Sequence, residues 1–535
     1  MTETRSRKPA QTSASLINTS FNRRTLLKGA AAASGVAALN SPIARRAPWI
    51  KRASAQDDGR GTITLLSAEP FFGSWDPSSH TILANIHAEW NCFDRLMALD
   101  WETKELKPQL AESWTFVEPT VLELKLRSGV TFHDGSPFGA KDVKASLEYM
   151  TSDQVAHRAW YREQLQVEVV DDLTVRIRTQ SPYPGLLYTL PVTSIMAEAD
   201  VNNPDRLKER YNGTGPFKWK DYSQETLTFE ANDEYWGGPP QLAGFSYQYV
   251  QDPGTRLAAL QTGEAHVIER VESEQIPEIE ANPDLRVDTT LTTENKWLIF
   301  KAKMPPMENK LLRQAISFAI DRDLIVDSIL EGHGRVCDAH VAPIFFGYKP
   351  QENTPTYDPE RAKALLAEAG YPNGEGLDTL VYVTSVGFYP KTREYGQYIT
   401  QALGEIGINI DFQAKEPAAW LEMLYAETGA HLFDTGWMPP GIDPDLVLKA
   451  FFYSGGRITY YDDEKINALL DKEGTADPEE RLTIIGDELL PALMEEMPAL
   501  PLFTSELISG VSNKVPAFKA NPNSTWDLKD VSLQE

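Results

Sequence analysis

The chain has 535 residues, 41% hydrophobic and 24% charged, too long for one ordinary core and normal in composition for a globular protein with two or three domains. Its formal charge of −26 argues against nucleic acid as a partner, because phosphate binding asks for a positive surface. Beyond residue 55 no apolar run approaches the roughly 20 residues needed to cross a bilayer.

Residues 1–55 hold ten Lys or Arg and one acid, Glu3. Asn22-Arg23-Arg24-Thr25-Leu26-Leu27-Lys28 precedes a weakly apolar run from Gly29 to Leu39, and Ala53-Ser54-Ala55 supplies small residues for cleavage. This order of basic, apolar and small parts reads as a twin-arginine export signal, so an exported protein of the periplasm or cell-envelope exterior is expected. The remainder carries about −35. That field favours neutral or cationic solutes over polyanions, although acidity that serves solubility or salt tolerance explains it equally.

In chain order, Thr62 to Ser67 reads as a strand, followed by a turn-rich loop from Glu69 to Pro77 that carries Phe71, Phe72 and Trp75. Aromatic residues in a loop mark either a packed loop or a ligand-facing rim. Asn85 to Leu99 has helical spacing. From Val121, alternation of Leu122, Leu124 and Leu126 with charged residues gives a half-buried strand. Ser128-Gly129 turns the chain, Val130 and Phe132 predict a second strand, and His133-Asp134-Gly135-Ser136-Pro137 ends it. A helix then starts with Gly139 as N-cap and Asp142 in its first turn. Leu173 to Arg178 alternates as a strand.

At Asn212-Gly213-Thr214-Gly215-Pro216-Phe217 the two glycines predict a tight backbone turn. No Lys-Ser/Thr sequel follows, so a nucleotide loop is excluded. Thr255 to Thr262 reads as a helix closed by Gly263. Leu312, Ala315, Ile316, Ala319 and Ile320 form one buried helical stripe. Asp358, Pro359 and Gly370 mark the cap, first turn and stop of another helix. Residues 393–406 form a helix before a strand from Ile408 to Phe412, and Leu500 to Val511 crosses back to the first half of the molecule.

Arg127, Gly129, Val130, Phe132, His133, Asp134, Gly135, Ala140, Asp142 and Val143 stand as in the large extracytoplasmic solute-binding proteins of peptide-type ABC transporters, solute-binding protein family 5. Pro108 to Trp114, Asn212 to Phe217, Asn232 to Trp236, Leu312 to Arg322 and Tyr357 to Tyr371 resemble that family too, in order and spacing. The resemblance covers essentially the whole chain after the signal. It implies an α/β, two-lobed periplasmic-binding-protein fold with mixed sheets, a hinge between lobes and an additional α+β domain in the N-terminal half. The expected parts are the signal at 1–55, a main lobe from 56–87, 199–292 and 500–535, the extra domain at 88–198, and a second lobe at 293–499. The implied function is the substrate-binding component of an ABC importer. Its partners would be a small solute (oligosaccharide, opine-like compound or peptide) and the permease with its ATPase, the chain itself acting as a monomer.

The resemblance also places a strand end near Gly436-Trp437, with the following loop lining the cleft. Peptide-binding members carry an acid three positions after that Trp, and here the position is Pro440. A shift of a few residues would make Asp443 the ammonium partner instead. Some dipeptide binders clamp the ligand carboxylate with an arginine near Val383 to Tyr389, where this chain has none. Losing both clamps argues against a free zwitterionic dipeptide, since a buried charge needs a partner. The expected ligand-binding residues are therefore Trp437, Phe72, Trp75, Phe388, Tyr389 and Tyr453, an aromatic and mostly neutral set, together with Asp443. One stacked ring covering about 100 Å² of ligand contributes on the order of 2.5 kcal/mol.

No cofactor or metal is expected. The sequence holds no HExxH, CxxC, GxSxG, EF-hand or P-loop pattern, His133 reads as structural, and the expectation is a binder that makes and breaks no bond. The rivals are an exported hydrolase using two carboxylates and a chaperone or sensory receptor on the same fold. Cys92 and Cys337, the two cysteines, read as buried thiols in different domains rather than a disulfide.

Overall fold

The structure, a computed structural model, describes residues 59–535 apart from 72, 73, 81, 82, 224, 427 and 457. The expected export signal and Phe72 lie outside the described residues. An eleven-stranded sheet runs through the molecule. Its order is Ile410–Lys415, Leu380–Ser385, Leu432–Trp437, Leu285–Phe300, Ala499–Ser512, Val267–Ile268, Thr62–Ser67, Gly244–Tyr249, Thr226–Ala231 and Phe217–Ser223, with Arg335–Val336 also paired to Ala499–Ser512. Thr62–Ser67 has parallel neighbours on both sides. That position explains why every residue from Ile63 to Ser67 is buried, because a strand flanked by parallel neighbours is covered on both faces.

The two long antiparallel strands, Leu285–Phe300 and Ala499–Ser512, occupy the middle of the sheet and carry its one major irregularity. Their register holds from Leu285↔Ser512 to Leu291↔Glu506, breaks, and resumes at Asn295↔Thr504. Thr292, Thr293 and Glu294 thus stand opposite Ser505 alone, a bulge that bends and twists the ribbon. It is held by its own polar groups: Thr292 Oγ1 donates to the Ser505 carbonyl at 2.8 Å and accepts the Glu294 N–H at 3.1 Å. On one side of the bulge, Ile63, Leu65, Phe245, Tyr247, Val511 and Trp526 belong to one core. On the other, Leu298 and Leu432 face a core with Leu312, Ile316 and Tyr395, while Trp297 and Phe433 face a second with Phe451 and Leu493, the two faces dictated by strand alternation.

A separate antiparallel sheet, Ala111–Glu118, Val121–Leu126, Thr174–Arg178 and Gln166–Asp171 in that order, packs with the helix Ala140–Met150. Leu122, Leu124 and Leu126 are buried and Lys125 exposed, as the alternation requires. Gly139 caps the helix, and Asp142 reaches back to accept its N–H at 2.9 Å. The apolar side chains of this part join the core of the first half.

Three local expectations are corrected. The second strand at Val130–Phe132 reduces to one bridge, Thr131 with Pro137, because the Phe132 and His133 N–H groups bond Ser136 and Gly213 carbonyls instead. The helix expected from Asn85 to Leu99 is Leu83–Trp90, and Met97–Leu99 is a strand paired with Leu106–Pro108. Tertiary bonds override the helical spacing there: the buried Asp94 carboxylate accepts from Thr214, Tyr235 and Trp236 at 2.7–2.9 Å. Lastly, Gly213 and Gly215 do not have positive φ. They are needed for close approach, since a Cβ on Gly213 would sit 2.0 Å from the Cys92 carbonyl oxygen. Cys92 and Cys337 are buried free thiols, and His133 Nε2 bonds the Gly215 carbonyl at 3.0 Å.

Candidate functional site

Leu432–Trp437 pairs along its whole length with Leu285–Phe300, from Phe300↔Leu432 to Asn295↔Trp437. On its other edge it meets Leu380–Ser385 only at Tyr382↔Leu432 and Val383↔Phe433. The backbone of Asp434 to Trp437 therefore leaves the parallel pairing just where the strand ends, and Tyr389 fills the gap. Its hydroxyl donates to the Gly436 carbonyl at 2.7 Å and accepts the Gly436 N–H at 3.2 Å.

Beneath Tyr389 lies Lys296. It is fully buried, its Nζ 3.0 Å from the Tyr389 ring centre and 3.8 Å from Asp434 Oδ2. It makes no hydrogen bond among the described residues. Burial pulls its ammonium down to about 8, against the opposing pull of Asp434 and then Glu294, the expected direction for a desolvated lysine. Asp434 is also fully buried. Burial raises its carboxyl above the usual range, while Lys296 and the hydroxyls of Tyr395 and Tyr382 hold it down. Gly436 makes the arrangement fit, because a Cβ there would fall 2.6 Å from Lys296 Cδ and 3.0 Å from Glu294 Oε1.

Trp437 follows Gly436 and so points to the opposite face of the strand. It is half-buried, its ring 6.1 Å from that of Phe451. Trp437 and Tyr389 therefore flank one strand end from two sides. Phe388, 53% exposed, stacks on Trp420 with centroids 5.7 Å apart. Tyr453 is half-buried and donates to Asp471 at 3.2 Å. Trp75 lies elsewhere, 5% exposed among Tyr211, Trp219 and Tyr222 in the core of the first half. Phe71 is packed likewise on Tyr222 and Tyr247. The described part of the loop after the first strand is thus a packed loop rather than a rim.

Asp443 is no free carboxylate. Arg481 takes both of its oxygens at 2.6 Å, and Asp443 caps the helix Pro444–Phe452. The loop before it is tied to the other half: Thr293 donates to the Pro439 carbonyl at 2.8 Å and Asn523 to the Pro440 carbonyl at 3.0 Å. Lys391 pairs with Glu274 at 2.9 Å, and Arg162 donates to the Gly474 carbonyl at 2.6 Å. A groove of about 340 Å³ lined by Lys104, Phe346, Tyr348, Lys349 and Leu482 lies along this seam, lined by neither Trp437 nor Tyr389. Among the described residues no group of three or more His, Cys, Asp or Glu is placed to hold a metal ion.

Lys296, Asp434 and Glu294 were not singled out by sequence reasoning. A signal existed for one of them: Lys296 directly precedes the run Trp297-Leu298-Ile299-Phe300, whose continuous apolar character marks a strand covered on both faces.

A sequence model described as bacterial extracellular solute-binding proteins, family 5, middle part, matches residues 105–459, and the chain belongs to that family. It is a substrate-binding component of an ABC importer, capturing a solute and delivering it to the permease. Among curated relatives it is 28% identical over 465 residues to the glutathione-binding protein GsiB of Escherichia coli (strain K12), covering 83% of this chain and 89% of that protein. It is 26% identical over 491 residues to the GsiB of Pectobacterium atrosepticum, covering 88% and 93%. The fold matches a dipeptide-binding protein of Pseudoalteromonas sp. SM9913 in complex with Met-Leu, with TM-score 0.75, 22% identity, and 88% of this chain and 100% of that one covered. It also matches the substrate-binding protein CtaP of Listeria monocytogenes, with TM-score 0.81, 20% identity, and 89% and 100% covered.

Proposed function

We propose that this protein, exported by its basic N-terminal segment to the periplasm or cell-envelope exterior and acting as a monomer, captures a small peptide-like or opine-like solute at the strand ends around Trp437 and Tyr389, and releases it unaltered. The observation that carries the reading is the bulge of Thr292 to Glu294 against Ser505. The central strand pair is interrupted there, between two separately packed cores, and the strand end bearing Trp437 sits beside that joint. Two bodies joined by such a ribbon close by bending it, and a solute touching both shifts the closed population by its differential affinity. The named ligand of the GsiB relatives, glutathione, is a peptide, which supports that class.

The carboxylates nearby support binding rather than hydrolysis. Asp434 is engaged by two tyrosine hydroxyls and Lys296, and Asp443 by Arg481. A two-carboxylate hydrolase needs an acid and a base facing one open space. Native mass spectrometry of the purified protein, followed by calorimetry and small-angle scattering with the solute it carries, tests the reading. Saturable binding with compaction is expected. A protein that carries nothing and never compacts with peptides, opines or oligosaccharides would sink it.

A further inference from the structure

We infer that closing of the two halves takes up one proton, held between the Glu473 and Asp445 carboxyl groups beneath the seam, so that solute capture is coupled to pH. The inference rests on the opening and closing proposed above and adds a second ligand, the proton. Three buried carboxylates, Asp443, Asp445 and Glu473, meet two cations there, Arg481 and Lys449. Arg481 donates to both oxygens of Asp443 and, through Nε, to Glu473 Oε2 at 2.7 Å, while Lys449 lies 3.0 Å from Asp445. Glu473 Oε1 stays buried without a donor among the described residues. What faces it is the Asp445 carboxyl, within hydrogen-bonding reach. Two carboxyl groups meet in a buried place by sharing a proton, because like charges so close do not both ionise.

The roof over this proton belongs to the other half. Tyr183, part of the core of the first half, is buried against the cluster, and burial, then the charges of Asp445 and Asp443, push its hydroxyl up. A Cβ on Gly185 would fall 2.7 Å from Asp443 Oδ2, so the backbone there lies directly on the acids. Arg162 donates to the Gly474 carbonyl, next in the chain to Glu473, at 2.6 Å. Its other bonds go to the Pro182 carbonyl and the Ser181 hydroxyl rather than to the acids. The remaining charges packed around Glu473 have partners elsewhere: Lys472 with Glu488, Asp487 with Lys349, and Asp471 with Tyr453. Burial, then the Asp445 charge, hold the Glu473 carboxyl well above its usual range. Burial raises Asp445 too, but Lys449, a hydrogen bond from Glu473 and Arg481 outweigh it and keep that carboxyl below its usual range. The proton therefore sits on Glu473 and is donated to Asp445. Parting of the halves lifts Tyr183, Gly185 and Arg162 away, water reaches the acids, and the burial that retained the proton is relieved. The closed form holds one proton more than the open one, so acid favours closure and base opposes it.

Small-angle scattering of the solute-free full chain between about pH 5 and 8 tests this, with Glu473→Gln and Asp445→Asn beside the wild type. The wild type is expected to contract on acidification, its closed-to-open ratio rising by up to about tenfold per pH unit. Either amide donates the hydrogen bond that the shared proton otherwise supplies, so each variant is expected to keep one radius of gyration across the range. An unchanged melting temperature at about pH 5 excludes a folding defect in the variants. His333, 3.6 Å from Glu506 near the bulge, is a rival source of pH dependence and is untouched in both. A contraction that survives in either variant therefore overturns the proposal, and so does a wild type whose radius ignores pH, whatever the variants do. A chain that contracts in acid yet compacts with no solute would sink solute capture alone. One that binds its carried solute with equal affinity at every pH leaves capture standing and removes the proton from it.

Discussion

Arg481 grips Asp443 with a two-pronged fork, Nη1 on Oδ2 and Nη2 on Oδ1, each at 2.6 Å, and turns its Nε to Glu473 at 2.7 Å. All three groups are buried, and Asp445 lies beside them with Lys449 at 3.0 Å. Burial and the neighbouring Asp445 push the Glu473 carboxyl well above its usual range. Removing the arginine leaves buried acids without their cation. Arg481→Ala is expected to cost about 3–5 kcal/mol, the usual penalty for breaking a buried pair from one side, read as a fall in the urea midpoint. Asp443→Asn should likewise lower stability. If it weakened solute binding at unchanged stability, the structural role of the pair would be wrong.

Acid sensitivity should come in part from His340. The ring is fully buried against Phe452, with Nε2 bonded to the Ala499 carbonyl at 2.9 Å. Burial lowers it from 6.5 to about 4, the carbonyl opposing. The unfolded chain takes up this proton from about pH 6.5 downward and the folded chain only near 4, so the unfolded state binds more protons in between and stability drains across that window. The loss from this one group is about 3 kcal/mol at about 1.4 kcal/mol per unit. Denaturation midpoints of the wild type and His340→Gln between pH 7 and 4 check it. The gap between the two should narrow on acidification, and parallel curves would rule out His340 as a source.

Much of the architecture was legible because local signals agreed with one another. Asp358 with Pro359, and Gly139 with Asp142, marked helix starts that the structure retains, and the alternation of Leu122 to Leu126 marked the face of a strand. The sequence misled where distant partners outbid local pattern, as at Asp94, three of whose hydrogen bonds come from residues more than 100 positions away. The site suffered from the same limit. Trp437 could be placed by its loop, but the Lys296, Asp434 and Tyr389 grouping arises from three separate strands and loops whose register no single stretch announces. Aromatic character alone could not separate Trp75, packed in a core, from Phe388, 53% exposed.

Across the seam, Lys391 on the second half reaches Glu274 on the first at 2.9 Å, with both side chains partly exposed. Such a pair adds little to folding, but it exists only when the halves are together, so it biases closure. Lys391→Ala is expected to enlarge the radius of gyration of the solute-free protein and to weaken apparent solute affinity about 2- to 5-fold, by lowering the binding-competent fraction. The wild type in high salt should behave like the variant, because exposed pairs are screened. Scattering profiles that coincide for variant and wild type at low salt would refute this bias.

The two tryptophans that follow one another across the central strands should separate binding from stability. Trp297 is fully buried and donates to the His340 carbonyl at 3.2 Å, so Trp297→Ala is expected to cost about 3–5 kcal/mol as a core truncation. Trp437 is half-buried at the strand end, resting on Phe451, so part of its surface stays open. Trp437→Ala should therefore cost less stability yet weaken solute binding about 10- to 100-fold, as loss of a central aromatic anchor does, and Trp437→Phe should restore part of it. Paired urea titrations and calorimetry on both variants make the comparison. A Trp437→Ala protein that binds its solute as tightly as the wild type would move the site away from this strand end.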